Sequence, residues 1–519
     1  MTESNVSKVG GQGRGIDVAI ALVIIGLGVW LRLAGLGRDS FWLDEIYSVS
    51  LANLSALGTV LAVFLFDVHP PLYYLQLNAW GLFGHGDTWL SLNSVCWSAA
   101  TLLAVFFGTR SRFGATAGLF ALGFCAVMGS EVYFANEVRM YAMFSCLAVL
   151  SWIAADRLRA DYRFRVALPL IVLLAILAAT HSASLIAASG ALLYAVPPGN
   201  MRQMRRLLPT WIAIAAVVGC AYLPWVLNAG VRHIDHAHTA SIQAVSQTVG
   251  GWIIGYGTAL TAPWAGPAAA ILVLLGLAGA AATVPRLFRV VACFIVWPLL
   301  FAAVLSVAVQ PIWLDRTFAF CAPFVAIAFG TAAGHFFDWR GRTVNPAVVY
   351  AGTGLIAAAI ALSGWLAYVQ MRTPYKPDPY REVARYLDEH AKSGEIIYAP
   401  EGETFWGVSR YLIGPDWGSI LKVHDMDEMT KLKKWRRISA LVGSNALRRF
   451  GLMPETRRLD SFRVPVFTGT SPLPDLQAVT AIWLITEDMR PSELPLCSDR
   501  YPEASEFGRL YVYRVPCGP

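Results

Sequence analysis

The chain has 519 residues, of which 56% are hydrophobic and only 14% are charged, and its formal net charge is +7. Soluble proteins carry about 25% charged residues, so this composition indicates a polytopic membrane protein. The basic residues are scattered in short loops, which excludes a nucleic-acid-binding face. The sequence also lacks a Gly-rich phosphate loop of the P-loop or dinucleotide type.

Apolar segments long enough to cross a membrane recur from Ile16 onward. A spanning helix needs about 20 apolar residues, and eleven segments qualify, of which the fifth and sixth are short. The first is expected to be retained, because its flanks differ from those of a cleaved signal peptide. The eleven predicted helices are 16–36, 89–108, 114–130, 139–155, 166–180, 183–197, 208–227, 263–285, 290–309, 317–337 and 346–369.

Arginines mark one side of the predicted membrane domain. Short loops rich in positive charge are typical of the cytoplasmic side, so we expect the N-terminus inside and, with an odd number of helices, the C-terminus outside. The opposite loops hold carboxylates and histidines, whose placement at a membrane costs free energy and therefore indicates a functional site. The basic loops contain Arg110 and Arg112; Arg157, Arg159, Arg163 and Arg165; Arg202, Arg205 and Arg206; Arg286 and Arg289; and Arg340 and Arg342.

Two of the predicted external loops are long. Residues 37–88 are amphipathic and aromatic, which is typical of helices that lie along a membrane surface. Residues 229–262 hold ionisable side chains between glycines and serines, and there we expect a mobile loop or lid. Those side chains are Arg232, His233, Asp235, His236 and His238.

A second domain is predicted where the composition changes near Thr373. Lysine is absent between Lys8 and Lys376 and becomes common after it. An amphipathic helix follows several prolines, and the later apolar runs EIIYAP, RISALVG, AIWLITE and RLYVYRV predict strands. The predicted fold is a polytopic α-helical membrane protein with about eleven transmembrane helices over residues 1–370 and a soluble α/β domain over residues 371–519.

The cysteines fall into two groups. Six of the eight lie in apolar segments, where they act as small hydrophobic residues. The other two, Cys497 and Cys517, lie in the polar C-terminal domain. Disulfides persist in oxidising compartments, so an external domain predicts a bond between them.

Two adjacent carboxylates, Asp44 and Glu45, follow the first helix in the sequence RDSFWLDEIYS. Such a pair can supply a general base, a metal ligand or the N-cap of an interfacial helix. The aromatic neighbours Phe41, Trp42 and Tyr47 favour a base, because surroundings of low dielectric make a carboxylate more basic. Helix capping by Asp44 explains the pair equally well at this point.

A histidine and two tyrosines follow in the sequence VHPPLYY, which contains His69 and Tyr74. The two prolines preset an extended or kinked start to a helix. The polar tips at the predicted interface form either part of a substrate site or an aromatic belt at the beginning of that helix.

Two arginines lie on the predicted external side, where the charge rule disfavours them. Arg139 stands in ANEVRMYAMF between Glu137 and Tyr141, which would share a face of the fourth helix. Arg316 stands in PIWLDRTFAF before a late helix. Each arginine is either a clamp for a phosphate or carboxylate group or half of an internal salt bridge. His181, between the fifth and sixth helices, is a ligand, an acid–base group or a structural histidine.

Taken in order, these motifs resemble the GT-C class of membrane glycosyltransferases. The motifs are the DE pair, HPPLYY, NEVRMYA, THS and a PxxxxR sequence before a late helix. The chain is similar over residues 16–370 to the bacterial protein O-mannosyltransferase-like family 39 and to lipid A aminoarabinose and galacturonic acid transferases. Two sites differ from that family: Ser91-Leu92-Asn93-Ser94 stands where Arg-Leu-Pro-Ser is frequent, and Gly129 stands where proline is frequent.

The resemblance implies an inverting enzyme on the external face of a bacterial inner membrane. It would move a sugar from a polyprenyl-phosphate donor to an envelope lipid, glycan or protein, with Asp44 as the catalytic base and Arg316 at the donor phosphate. Cofactor use is left open: a divalent metal ion, Mg²⁺ or Mn²⁺, could bind Glu45, His69 and His181. The residues matched to substrate binding are Glu45, His69, Tyr74, Glu137, Arg139, Tyr141, His181 and Arg316.

The chemistry agrees with this implication. Nucleotide sugars are scarce outside the cytoplasm, and transfer from a lipid phosphate needs a base for the acceptor and positive charge for the leaving phosphate. An oligosaccharide ligase or polymerase is the nearest alternative. A transporter or flippase fits less well, because it would show charges near the bilayer centre and repeated, broken helices.

Overall fold

Residue contacts divide the chain into two units. The computed structural model describes residues 3–197, 201–229, 237–256, 264–339, 346–372, 376, 378–413, 458–459, 464–468, 476–487, 497 and 503–517. The first, here called the helical unit, comprises Met1–Leu36, Val68–Tyr73 and Ser91–Pro374. The second, here called the mixed unit, comprises Gly37–Asp67, Tyr74–Leu90 and Tyr375–Pro519.

Helices dominate the part of the chain that the structure describes. A π-helical turn at Ala292–Val296 joins two of them, and a 3₁₀ helix at Asp315–Cys321 precedes another. In chain order the helices are α1 (Glu3–Leu33), α2 (Leu43–Ala52), α3 (Ala56–Phe66), α4 (Leu72–Gly81), α5 (Asp87–Phe113), α6 (Ala115–Val127), α7 (Gly129–Phe134), α8 (Tyr141–Ala160), α9 (Phe164–Ala178), α10 (Ser184–Ala195), α11 (Met201–Ala229), α12 (Ile242–Ile254), α13 (Ala265–Thr283), α14 (Pro285–Val291), α15 (Trp297–Ala308), α16 (Ala322–Trp339), α17 (Pro346–Arg372), α18 (Tyr380–His390) and α19 (Gly402–Ile413).

Each of the eleven segments predicted to cross a membrane is helical over most of its described residues. Seven stretches among the described residues are long and apolar enough to do so, and three further apolar helices, α6, α9 and α10, are shorter. The number of crossings stays a prediction. The seven stretches are Ile16–Leu33, Asp87–Phe113, Tyr141–Ala160, Arg205–Pro224, Ala265–Thr283, Pro285–Ala308 and Asp315–Asp338.

Small residues allow the helices of the helical unit to approach closely. Gly330 and Gly334 lie one turn apart on α16 and face Ala121 and Ala117 of α6. A Cβ atom at position 330 would lie 2.1 Å from the backbone nitrogen of Ala121, and one at position 334 would lie 2.6 Å from that of Ala117. Apolar helices in lipid associate through such close packing because they gain no hydrophobic free energy from meeting each other.

The structure corrects two local predictions in the helical unit. Helix α8 begins at Tyr141, so Glu137 and Arg139 lie in the turns before the helix, and Glu137 does not share a helical face with Tyr141 as predicted. Part of the predicted mobile loop 229–262 is helix α12, which Ser241 caps by accepting a hydrogen bond from the Ala244 amide. The ionisable cluster from Arg232 to His236 lies outside the described residues.

The mixed unit contains a six-stranded sheet in the order β2-β3-β1-β4-β6-β5. Strand β1 pairs in parallel with β3 and β4, and the other pairs are antiparallel. Three of the predicted apolar runs form β1, β4 and β6, whereas RISALVG lies outside the described residues. The strands are β1 (Ile396–Ala399), β2 (Arg458–Leu459), β3 (Val466–Thr468), β4 (Ala481–Thr486), β5 (Ser505–Phe507) and β6 (Leu510–Pro516).

A disulfide bond joins Cys497 to Cys517 just after the last strand. Both cysteines pack against the buried core of the sheet, and the Cys517 amide donates to the Thr480 carbonyl at 3.0 Å. Mass spectrometry of unreduced peptides should therefore find the two cysteines linked. Replacing both with serine should cost the mixed unit about 2–4 kcal/mol of unfolding free energy, and two free thiols in the untreated protein would contradict the bond.

Candidate active site

Two imidazole rings lie in contact in the helical unit. His69 precedes α4 and His181 lies in the turn between α9 and α10, and their ring centroids are 4.6 Å apart. The Ala183 amide donates to His181 Nδ1 at 2.9 Å. The Ser182 hydroxyl lies 3.0 Å from His69 Nδ1, and the Ser182 amide donates to the same nitrogen at 3.4 Å. Both rings therefore accept at Nδ1, which leaves Nε2 as the proton-bearing nitrogen of each neutral ring.

Positive charge surrounds this histidine pair. Burial, with the charges of Arg139 and Arg316 as smaller contributions, lowers the pKa of His181 to about 3. Burial also lowers the pKa of His69 well below its usual value, with His181, Arg139 and Arg316 adding to the shift. The two arginines and the two histidines are therefore neighbours electrostatically, and the histidines stay neutral while the arginines remain charged. Such a site attracts an anion.

Aromatic rings line the same region. Phe144 of α8 stacks on His181 with centroids 4.7 Å apart, and Tyr141 lies 5.8 Å from that ring. Phe134 contacts both Tyr141, at 4.7 Å, and Tyr256, at 5.1 Å. These rings exclude water, and a low local dielectric strengthens the interaction between an arginine and an anion.

The segment that carries Arg316 is fixed by neighbouring side chains. Asp315 accepts a hydrogen bond of 2.7 Å from Thr248 of α12, and Trp313 donates to the same hydroxyl at 3.1 Å. His238 and Trp313 exchange two backbone hydrogen bonds of 3.0 and 3.1 Å. The predicted loop before α12 therefore helps to hold the 3₁₀ turn in which Arg316 lies.

Glu137 and Arg139 are both buried in the turns between α7 and α8. The Glu137 carbonyl accepts from the Ser94 hydroxyl of α5, so the SLNS sequence supports this turn directly. The neighbouring Asn136 donates from its side chain to the Arg32 carbonyl at 3.0 Å. These contacts explain why the turn replaces the first part of the predicted fourth helix.

The DE pair belongs to the mixed unit and opens helix α2. Asp44 is half-buried in the first turn, whereas Glu45 is fully buried. Glu45 Oε2 accepts from the Trp42 amide at 3.1 Å, and Lys376 Nζ binds both Glu45 oxygens at 2.7 Å. Glu45 therefore caps this helix, a role that the sequence had left open to Asp44. Lys376 was not among the predicted site residues, and its only sequence signal is that it ends the long lysine-free stretch.

Tyr74 also lies in the mixed unit. Its hydroxyl donates to the carboxylate of Asp67, and both side chains are buried. Asp67 ends helix α3 and was not predicted as a site residue. A buried tyrosine that donates a hydrogen bond to a carboxylate orients that carboxylate. Tyr74 therefore has a structural role with Asp67, in addition to the substrate-binding role predicted from the sequence.

The proposed metal ligands have other partners. Among the described residues, no group of three or more His, Cys, Asp or Glu side chains could hold a metal ion. Lys376 occupies both oxygens of Glu45, and the Nδ1 atoms of His69 and His181 already accept hydrogen bonds. Positive charge near the two imidazoles opposes a divalent cation. These three residues therefore do not fit a metal centre.

The neutral histidine predicts a pH effect on stability. Unfolded His181 takes up a proton near pH 6.5, but the folded ring does so only near pH 3. Below pH 6.5 the unfolded chain thus binds more protons, and the unfolding free energy should fall as the pH falls towards 3. Thermal unfolding of His181→Gln should show a smaller acid loss than wild type. His335→Gln, which removes an exposed histidine, is the control and should lose as much unfolding free energy on acidification as wild type. If His181→Gln also loses as much as wild type, the assignment is contradicted.

Comparison with solved structures identifies the fold that this chain resembles. No family model and no curated protein matches the sequence. The chain is similar to ArnT from Cupriavidus metallidurans in the apo state, with a TM-score of 0.55 and 12% identity over 98% of this chain and 100% of that one. The same protein bound to undecaprenyl phosphate gives a TM-score of 0.54 and 13% identity, over 98% and 99% of the two chains.

The archaeal oligosaccharyltransferase AglB from Archaeoglobus fulgidus is a more distant match. Its TM-score is 0.48 at 12% identity, over 76% of this chain, and the chain spans 63% of the length of AglB. These neighbours are GT-C glycosyltransferases. The likeness to ArnT, with TM-scores above 0.5, confirms for the fold the GT-C resemblance that the sequence motifs indicate.

Proposed function

We propose that this protein is a membrane glycosyltransferase that moves a sugar from a polyprenyl-phosphate donor to an acceptor in the cell envelope. The observation that carries the proposal is the pair of arginines, Arg139 and Arg316, beside two neutral histidines in an aromatic, buried setting. This arrangement suits a phosphate monoester, which is the group that leaves in such a transfer. The likeness to ArnT supports this proposal at the level of the fold alone.

The proposed reaction is a single displacement at the anomeric carbon. Asp44 takes the proton of the acceptor hydroxyl while the acceptor oxygen forms its bond to that carbon. The bond from the anomeric carbon to the phosphate oxygen breaks, and the electron pair leaves with the lipid phosphate. Arg139 and Arg316 stabilise the negative charge that develops there. Attack opposite the leaving group inverts the configuration.

The remaining predicted residues take supporting roles in this proposal. The neutral histidines, His69 and His181, donate from Nε2 to substrate oxygens, and Tyr141 borders the sugar or the phosphate. Glu137 binds substrate hydroxyl groups. Glu45, by contrast, serves through its ion pair with Lys376, which makes it a poor base.

A transfer assay tests the function itself. The full-length protein in liposomes should move a radiolabelled sugar from a polyprenyl-phosphate donor to extracted envelope lipids, glycans or proteins. It should not use the matching nucleotide sugar, because the proposed phosphate site takes a single phosphate that carries a lipid, whereas a nucleotide sugar carries a nucleoside and, in most cases, a diphosphate. Movement of the labelled donor across the bilayer without any labelled acceptor would favour a transporter and contradict the proposal.

The proposed site of action is the external face of a bacterial inner membrane. The arginine-rich loops support this sidedness through the charge rule. In a cysteine-free background, a cysteine at position 392 should react with an impermeant reagent added outside intact spheroplasts, whereas a cysteine at position 206 should react only after permeabilisation. Equal labelling of the two positions from outside would overturn the topology.

A further inference from the structure

Two side chains of the mixed unit contact the residues on either side of Asp44. Lys376 Nζ binds both oxygens of Glu45 at 2.7 Å. Asp378 Oδ2 accepts a hydrogen bond of 3.3 Å from the Leu43 amide. Asp44 therefore lies between two residues that are each fixed by a segment more than 300 positions later in the chain. Lys376 and Asp378, two residues apart, are here called the clamp.

Both halves of the clamp are buried and each has a second contact. The side chains of Lys376 and Glu45 are 5% and 0% exposed, and Glu45 also accepts from the Trp42 amide. Asp378 is 1% exposed and pairs with Arg509 Nη2 at 2.6 Å. A buried pair is held firmly because the loss of one partner leaves an uncompensated charge in a poorly solvated place.

The clamp exceeds what helix α2 needs in order to form. A helix can be capped by side chains of its own first turn, and Glu45 already provides this through Trp42. Carboxylates near a helix N-terminus are also favoured by the helix dipole without any cation. The ammonium of Lys376 instead engages both oxygens of Glu45 and so fixes the direction of the first turn.

We propose that Lys376 and Asp378 are positioning residues for Asp44, a role that rests on the proposed glycosyltransferase function. Asp378 acts through the Leu43 backbone amide and Lys376 through the Glu45 carboxylate, so each positions Asp44 through its neighbour in the chain. Proton transfer needs the base within hydrogen-bond reach of the acceptor hydroxyl. A displacement of about 1 Å can cost roughly 100-fold in rate, so a fixed first turn matters more for turnover than for binding.

The first test measures turnover in the full-length protein in liposomes. Lys376→Met should lower kcat about 10- to 100-fold. The Kd for the donor lipid should stay unchanged, because the proposed phosphate ligands are Arg139 and Arg316. Lys376→Arg keeps the charge and should recover most of the rate. The control is Arg514→Met, which removes another ion pair of the mixed unit, at 2.6 Å from buried Glu395 just before β1; it should turn over like wild type.

The second test does not depend on activity. Hydrogen exchange of the Leu43 amide should quicken at least tenfold in Asp378→Ala, which removes its acceptor, while Asp378→Asn keeps an acceptor oxygen and should restore protection. Exchange in the sheet should stay as in wild type. Unchanged exchange at Leu43 in Asp378→Ala would mean that the hydrogen bond does not hold this turn.

The outcomes separate the two proposals. An inactive wild type would overturn the proposed function and, with it, the role of the clamp. An active wild type with normal kcat in Lys376→Met, or with donor affinity lost in place of kcat, would overturn the clamp alone. If Lys376→Met fails to fold, the double variant with Glu45→Gln removes both charges and keeps an acceptor for the Trp42 amide. The same fall in kcat is expected there, and normal turnover would refute positioning.

Discussion

Asp44→Asn should lower the rate of sugar transfer by about two to four orders of magnitude. Asparagine keeps the shape of the side chain but cannot take the proton from the hydroxyl group of the sugar acceptor. The variant should fold, because the cap of α2 is formed by Glu45 and the Trp42 amide. It should also bind the donor lipid normally, since Arg139 and Arg316 are the proposed phosphate ligands. Single-turnover transfer and donor binding, measured on the same preparation, check both halves of this expectation.

A nearby carboxylate gives the matched control for that experiment. Asp39 lies five residues earlier and pairs with Arg38 at 2.8 Å, so Asp39→Asn removes a similar charge from the same segment and should leave transfer near normal. If Asp44→Asn retains near-normal turnover while Glu137→Gln abolishes it, the base has been assigned to the wrong residue. Normal turnover in both variants would exclude the proposed mechanism.

Hydrophobicity predicted most of the helices but missed α12 and α19, in each of which a glycine lies at a close contact. Helix α12 was expected to be part of a loop, yet a Cβ atom at Gly250 would lie 2.2 Å from the Gly266 carbonyl oxygen. Helix α19 was not predicted, and a Cβ atom at Gly407 would lie 2.4 Å from the Tyr380 ring. In both helices glycine permits a close contact with another element. From a single sequence, such a glycine cannot be distinguished from one that marks a turn.

The site shows a similar limit. The order of the motifs and the charge rule suggested candidate residues, but not the contacts between them. The pairing of His69 with His181 depends on how α9 and α10 turn, and the partner of Glu45 is 331 residues away in the sequence. Lys376 carries no motif of its own. Its role follows from packing in the mixed unit. There the buried Glu45 carboxylate is stabilised only by a cation in direct, well-oriented contact, which Lys376 provides at 2.7 Å.

Arg316→Ala should weaken donor-lipid binding strongly and lower kcat/KM by about two to three orders of magnitude, the usual cost of losing one strong electrostatic contact to a developing anion. Arg316→Lys should recover only part of this loss, because an ammonium cannot reproduce the two parallel hydrogen bonds of a guanidinium. Arg163, whose side chain is 78% exposed in the same unit, gives the control: Arg163→Ala should bind donor like wild type. Unchanged donor affinity in Arg316→Ala would make Arg316 a structural residue.

The histidine pair supplies a second readout for Arg316 that needs no substrate. The charge of Arg316 lowers the pKa of both His69 and His181, so its removal should raise both pKa values towards the usual one. The acid loss of unfolding free energy should then become smaller in Arg316→Ala, because the folded and unfolded pKa values move closer together. A variant that loses donor affinity without this change would place the functional charge of Arg316 away from the imidazoles. A variant that shows both changes would place the donor phosphate beside them.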